Sequence, residues 1–208
     1  MIITIALKCW KIGIFGDPSL LLYILSVDSS TRDRMAAPGD VYERELKGLL
    51  SGDPKVIEKM IKTCDEKETK WYKSLIDNPF MVIRAAGSLG VDLVALRWDY
   101  SFPIEVKSSS EDTMHFSKNP RLMEQATRMK NDCSNAQLLP IYAFRLKNQK
   151  GDPWRLFSLP MECQLKGAMG LLQRHIPPVE MNSNGNYIIR WKDGIKLSDL
   201  VDYMQFQV

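Results

Sequence analysis

Residues 80–107, FMVIRAAGSLGVDLVALRWDYSFPIEVK, constrain the fold more than any other part of the chain. Two short apolar runs carry charge where a buried strand should not: Asp92 opens VDLVAL, and Glu105 and Lys107 sit inside PIEVK. Side chains on a strand alternate between faces, so Glu105 and Lys107, two apart, point the same way. A carboxylate and an ammonium on the inner face of an apolar hairpin are costly to desolvate unless something pairs with them. A divalent cation held by Asp92 and Glu105 would supply that partner. The plain alternative is a strand with one wet face, since Glu-x-Lys is a common tripeptide. The apolar remainder of both strands argues against a wet face, and the connection from Arg84 to Asp92 is rich in small residues.

The remaining composition fits a single soluble globular domain with an appendage. The 208 residues are 45% hydrophobic and 25% charged, enough apolar material for a core. The net charge of +3 is unevenly spread: residues 118–155 hold eight Lys and Arg against three acids. That excess suits a polyanion such as DNA, and it equally suits a solvated helix face with two strand ends. Cys9, Cys64, Cys133 and Cys163 form no CxxC and have no His nearby in sequence, which argues against zinc. Scattered cysteines fit a reducing compartment, so a cytoplasmic location is expected. Residues 1–34 are apolar but interrupted by Lys8, Lys11, Asp17 and Pro18, and neither half reaches the ~20 residues of a membrane span. This segment reads as an N-terminal extension: the product of an upstream start codon, or an added strand and helix.

Further along, Asp40 and Glu43 have capping-box spacing ahead of a helix over 38–51, striped by Tyr42, Leu46, Leu49 and Leu50. Capping alone explains Glu43, yet an acid there could also reach a metal site. Apolar periodicity predicts one helix over 55–76, with DEKETK as its solvated face, ended by Asn78-Pro79. Strands are expected near 80–84, 91–97 and 102–107. SSSEDTMHFS, 108–117, reads as a polar, mobile connection. Asn119-Pro120 starts a helix reaching about Cys133, followed by strands near 138–147 and 154–159. A helix from near Pro160 to Arg174, a strand at NYIIRW and a helix at LSDLVDYM complete the chain.

YERELKGLL, VIRAAGSLGVDLVAL and PIEVKSS, followed by a helix and a strand pair, together resemble the archaeal Holliday junction resolvase family of PD-(D/E)xK nucleases. The resemblance covers about residues 38–160. It implies a restriction-endonuclease-like fold, a mixed central β-sheet flanked by helices. It divides the chain into the 1–34 extension, a nuclease domain at 35–160 with a helical insertion at 55–76, and a C-terminal extension at 161–208 packing on the domain. The insertion, the leading segment and the long tail are departures from the family pattern.

Carried over position by position, Glu43, Asp92 and Glu105 resemble the metal-binding carboxylates, Lys107 the catalytic lysine and Ser88 a serine near the scissile phosphate. Arg44 and Arg84 resemble DNA-contacting or structure-supporting basic residues, and Lys118, Arg121 and Arg128 from the basic region are added as DNA-binding candidates. Gln125 receives little weight. The implied chemistry is Mg²⁺-dependent hydrolysis, with Mn²⁺ able to substitute, of a phosphodiester. The implied partner is branched DNA, a four-way junction cut by a homodimer in recombination and repair, with no membrane involved. The alternatives are a repair or restriction-type endonuclease acting on other DNA, and a non-catalytic DNA-binding protein.

Overall fold

The computed structural model describes residues 38–85 and 90–205. The expectations for residues 1–34 and for Ser88 lie outside them. The chain opens with helix α1, Pro38–Leu50, then α2, Pro54–Met60, a 3₁₀ turn at Ile61–Thr63 and α3, Glu66–Asp77. The single helix expected over 55–76 is therefore broken. Cys64 is extended, and Asp65 starts α3 with a capping box: its side chain accepts the Glu68 N–H, and Glu68 returns to the Asp65 N–H. DEKETK is not simply a solvated face, because Glu68 is buried and its Oε1 accepts a hydrogen bond from Lys196 Nζ at 2.8 Å. Helices α1 and α2 pack closely because Gly48 lacks a side chain; a Cβ there would come within 2.7 Å of Val56.

The strands of the main sheet are β1 (Met81–Arg84), β2 (Leu93–Leu96), β3 (Ser101–Ser109), β5 (Ile141–Leu146), β6 (Trp154–Ser158) and β9 (Ile195–Lys196), in the order β1-β2-β3-β5-β6-β9. Every neighbouring pair is antiparallel except β3–β5, which is parallel. A parallel pair needs a long crossover. Here the crossover includes α4, Pro120–Ala136, capped by the Asn119 side chain on the Arg121 N–H with Pro in the first turn. This is the expected mixed sheet flanked by helices.

The pleat sorts the core into two layers. Ile141 and Ala143 of β5 join Phe102, Ile104 and Leu93 under α1 and α3, whereas Tyr142 and Phe144 face Ala126, Met129 and Cys133 of α4. The 108–117 segment is more ordered in its pairing than its polarity suggested. Thr113–His115 forms β4, which pairs antiparallel with β8, Tyr187–Arg190, and β7, Glu180–Met181, completes a three-stranded second sheet. Phe116 anchors that sheet, fully buried against Tyr142 and Tyr187. The helix expected from Pro160 instead begins at Gly167, as α5 (Gly167–His175), and α6 (Leu197–Gln205) ends the described chain. Cys64, Cys133 and Cys163 are free thiols. Among the described residues no helix is long and apolar enough to cross a membrane.

Candidate active site

Asp92 stands at the point where β2 and β3 part. Its N–H donates to the Ile104 carbonyl at 3.0 Å, one step before the ladder of β2 begins at Leu93. Val106 lies beyond that ladder, and its N–H needs another acceptor. Asp92 Oδ2 provides it at 2.8 Å. Gly90, with φ +73°, makes the turn into Asp92 in a conformation that side-chain-bearing residues rarely adopt.

Glu105 and Lys107 follow along β3, opposite Tyr142 and Phe144, and so lie on the sheet face covered by α4. Glu105 is 2% exposed. Its Oε1 accepts from Lys107 Nζ at 2.5 Å and from Gln125 Nε2 at 2.7 Å. The Gln125 Oε1 in turn accepts from Lys107 at 3.4 Å. Glu105 Oε2 is buried and has no hydrogen-bond partner among the described residues. Burial pushes the Glu105 carboxyl up to about 7; Lys107 and Gln125 pull against it, and the charge of Asp92 adds to it. Burial also raises Asp92, opposed by the Val106 N–H and reinforced by Glu43. The charge of Asp92 acts on Glu105, and two like charges in one buried site do not both ionise freely, so this pair calls for a proton or a cation.

Beside the pair opens a cavity of about 580 Å³ lined by Glu43, Arg84, Asp92, Arg121, Gln125 and Arg128, among others. Arg84 donates to Glu43 Oε2 at 2.6 Å and also pairs with Asp40, which it shares with Arg44. Asp40 is thus not the helix cap its spacing suggested. It lies inside the first turn of α1, where its carboxylate holds two guanidinium groups.

The fold therefore gathers Glu43, Arg84, Asp92, Arg121 and Arg128 around one cavity, with Glu105 and Lys107 joined to it through Gln125. Two candidates stand apart. Arg44 lines a different cleft, and Lys118 lies in the 3₁₀ turn Phe116–Lys118, exposed and 3.9 Å from Glu111. Gln125 deserved more weight than its sequence context suggested. Its signal was a polar residue set on the buried stripe of α4, three after Leu122 and four before Met129.

A hard cation fits part of this arrangement. Mg²⁺ is commonly held by one or two carboxylates plus substrate phosphates, and Asp92 with the donorless Oε2 of Glu105 matches that need. Glu43 is engaged by Arg84, and among the described residues no three acidic, His or Cys side chains cluster to hold an ion.

Together these features define an α/β protein with a buried carboxylate–lysine cluster joined through Gln125 to an arginine-lined cavity. Among solved structures, the chain is similar to Hjc of Archaeoglobus fulgidus, a Holliday junction resolvase from an archaeal hyperthermophile. The two are 18% identical with a TM-score of 0.40, over 66% of this chain and 97% of that one. No family model matches the chain, and no curated protein does.

Proposed function

We propose that the chain is a metal-dependent endonuclease that resolves four-way DNA junctions. The observation that carries this reading is Glu105: buried and pushed up by the charge of a second carboxylate, one oxygen bound by Lys107 and the other without a donor among the described residues. A group left in that state is costly unless a cation or proton completes it. Mg²⁺, or Mn²⁺ in its place, would be held by Asp92 and Glu105 and would supply Lewis acidity for phosphodiester hydrolysis. Lys107, fixed by Glu105 and Gln125, has its ammonium positioned to neutralise charge that develops on the phosphate. Arg84, Arg121 and Arg128 give the cavity wall the guanidinium groups that suit a phosphate backbone. Glu43 holds Arg84 in place at the cavity, and is the third carboxylate available once Arg84 is drawn to phosphate.

A four-way junction has near two-fold symmetry, and a two-fold homodimer would bring one such site to each of two opposing strands. No base-reading motif is evident in the sequence, so recognition would rest on branched shape and phosphate position, and binding would weaken steeply with salt. The test is a gel assay for paired, symmetrical incisions in a mobile junction, run with and without Mg²⁺ beside a linear duplex. Paired incisions that require Mg²⁺ support the proposal. Equal rates on both DNAs would assign the chain to a repair or restriction-type endonuclease instead, and binding without any cutting would make it a non-catalytic DNA-binding protein.

A further inference from the structure

A second cleft, of about 350 Å³, lies between α1, α2 and the β5–β6 connection. Its lining shares no residue with the cavity described above. Glu43 belongs to one and Arg44 to the other, as expected for neighbours about 100° apart around a helix. Asp40 links them, since it pairs with Arg84 on the first side and with Arg44 on the second. The two clefts therefore flank the first two turns of α1.

The second cleft is strongly basic. Arg44, Lys55, Lys59 and Arg145 line it, against Glu45 as the single acid among the described residues. Glu45 is already committed: Arg145 Nε donates to its Oε1 at 2.6 Å, Arg145 Nη2 to its Oε2 at 3.3 Å, and the Trp154 indole N–H to Oε1 at 3.0 Å. Lys55 and Lys59 are both exposed and sit four apart on α2, so they share one face with ~5–6 Å between their Cβ atoms. Like charges at that spacing weaken a helix, and α2 is only seven residues long. An external polyanion would turn that cost into binding. Gly48 sets the geometry, because its missing side chain is what allows α2 to lie against α1 and present both lysines to the cleft.

We infer that this cleft holds the sugar–phosphate backbone of a second arm of the branched DNA, with Lys55 and Lys59 meeting phosphates on the far side of α1 from the cut. The inference rests on the nuclease reading and extends it: the helical insertion becomes the part of the protein that distinguishes a junction from a duplex. A linear duplex seated in the arginine-lined cavity would leave this cleft empty.

The test is fluorescence anisotropy on a labelled four-way junction and a linear duplex of matched sequence, without divalent metal so that no cutting occurs, over a series of salt concentrations. Parent protein, Lys55→Ala/Lys59→Ala and Lys62→Ala are compared, Lys62 being an exposed lysine outside the cleft. Each lost phosphate contact lowers the log–log salt slope by ~0.9. The double variant should therefore show a slope shallower by about 2 on the junction and unchanged on the duplex, while Lys62→Ala matches the parent on both. A junction slope unchanged in the double variant, or an equal loss on junction and duplex, overturns this inference and leaves the nuclease reading standing. A parent that binds neither DNA removes both.

Discussion

Replacing Glu105 with Gln offers the sharpest test of the site without any DNA. In the folded protein burial and the neighbouring Asp92 charge push this carboxyl from its ordinary 4.5 up to about 7, against the pull of Lys107 and Gln125. Between those pH values the folded state binds a proton that the unfolded chain has released. The stabilising contribution of the protonated form is thus fully present below pH 4.5 and is lost as pH rises through 7. At ~1.4 kcal/mol per pH decade the loss is about 3 kcal/mol, and it needs no discount for solvent because the group is 2% exposed. An amide cannot ionise, so Glu105→Gln should be more stable than the parent by about 3 kcal/mol at pH 8 and nearly equal to it at pH 4.5. For a chain of this size that is on the order of 10 °C in melting temperature. Asp152 is also raised by burial, but it remains in the variant and cancels in the difference; Asp92 is coupled to Glu105, so the difference reports the titration of the pair. The assay is a set of circular-dichroism melts from pH 4.5 to 8.5, with urea titrations at the two ends. Millimolar Mg²⁺ at pH 8 should raise the parent's melting temperature and leave the variant's unmoved. Parallel stability profiles for the two proteins across this range would show that Glu105 is not held at raised pKa by its surroundings.

Other perturbations follow from the same contacts. Lys107→Met keeps the alkyl stem but removes the ammonium that Glu105 and Gln125 hold; single-turnover cleavage in Mg²⁺ should fall by ~10²–10³-fold, while junction binding in anisotropy changes little. Asp152→Ala strips the acceptor from the buried Trp154 and Ser198 N–H groups, so urea denaturation should show a loss of about 2–4 kcal/mol, with the salt slope of DNA binding unchanged.

The parts of the structure that were legible in the sequence share a physical reason. Strands β1 to β3 and helix α4 announce themselves through period, turn residues and an Asn-Pro start, which are local signals. Charge inside an apolar run exposed Asp92, Glu105 and Lys107 because desolvation makes such placements costly wherever they occur. Contacts distant in sequence were not legible. Glu68 looked like part of a solvated run because its partner, Lys196, is 128 residues away. Thr113–His115 looked mobile because the strand that pairs with it begins only at Tyr187. Asp40 had the spacing of a cap, and only the approach of Arg84 from β1 revealed its other use. The break between α2 and α3 is hidden in the sequence because Asp65 and Glu68, which form a capping box, fall within a run of charged residues.

The parallel pairing of β3 with β5 has a consequence for when the site comes into being. Ile104 to Ser109 can only meet Ile141 to Leu146 after the whole of α4 has been made and folded back across the sheet. Pairings so far apart along the chain are slow to close, because the loop must be ordered before the contact rewards it. A nascent chain emerging from the ribosome would carry Asp92, Glu105 and Lys107 long before Gln125 and the arginines of α4 were in place beside them. Until β5 has been made, a growing chain therefore lacks the wall of its own cleft, and the cluster around Glu105 stays open to water.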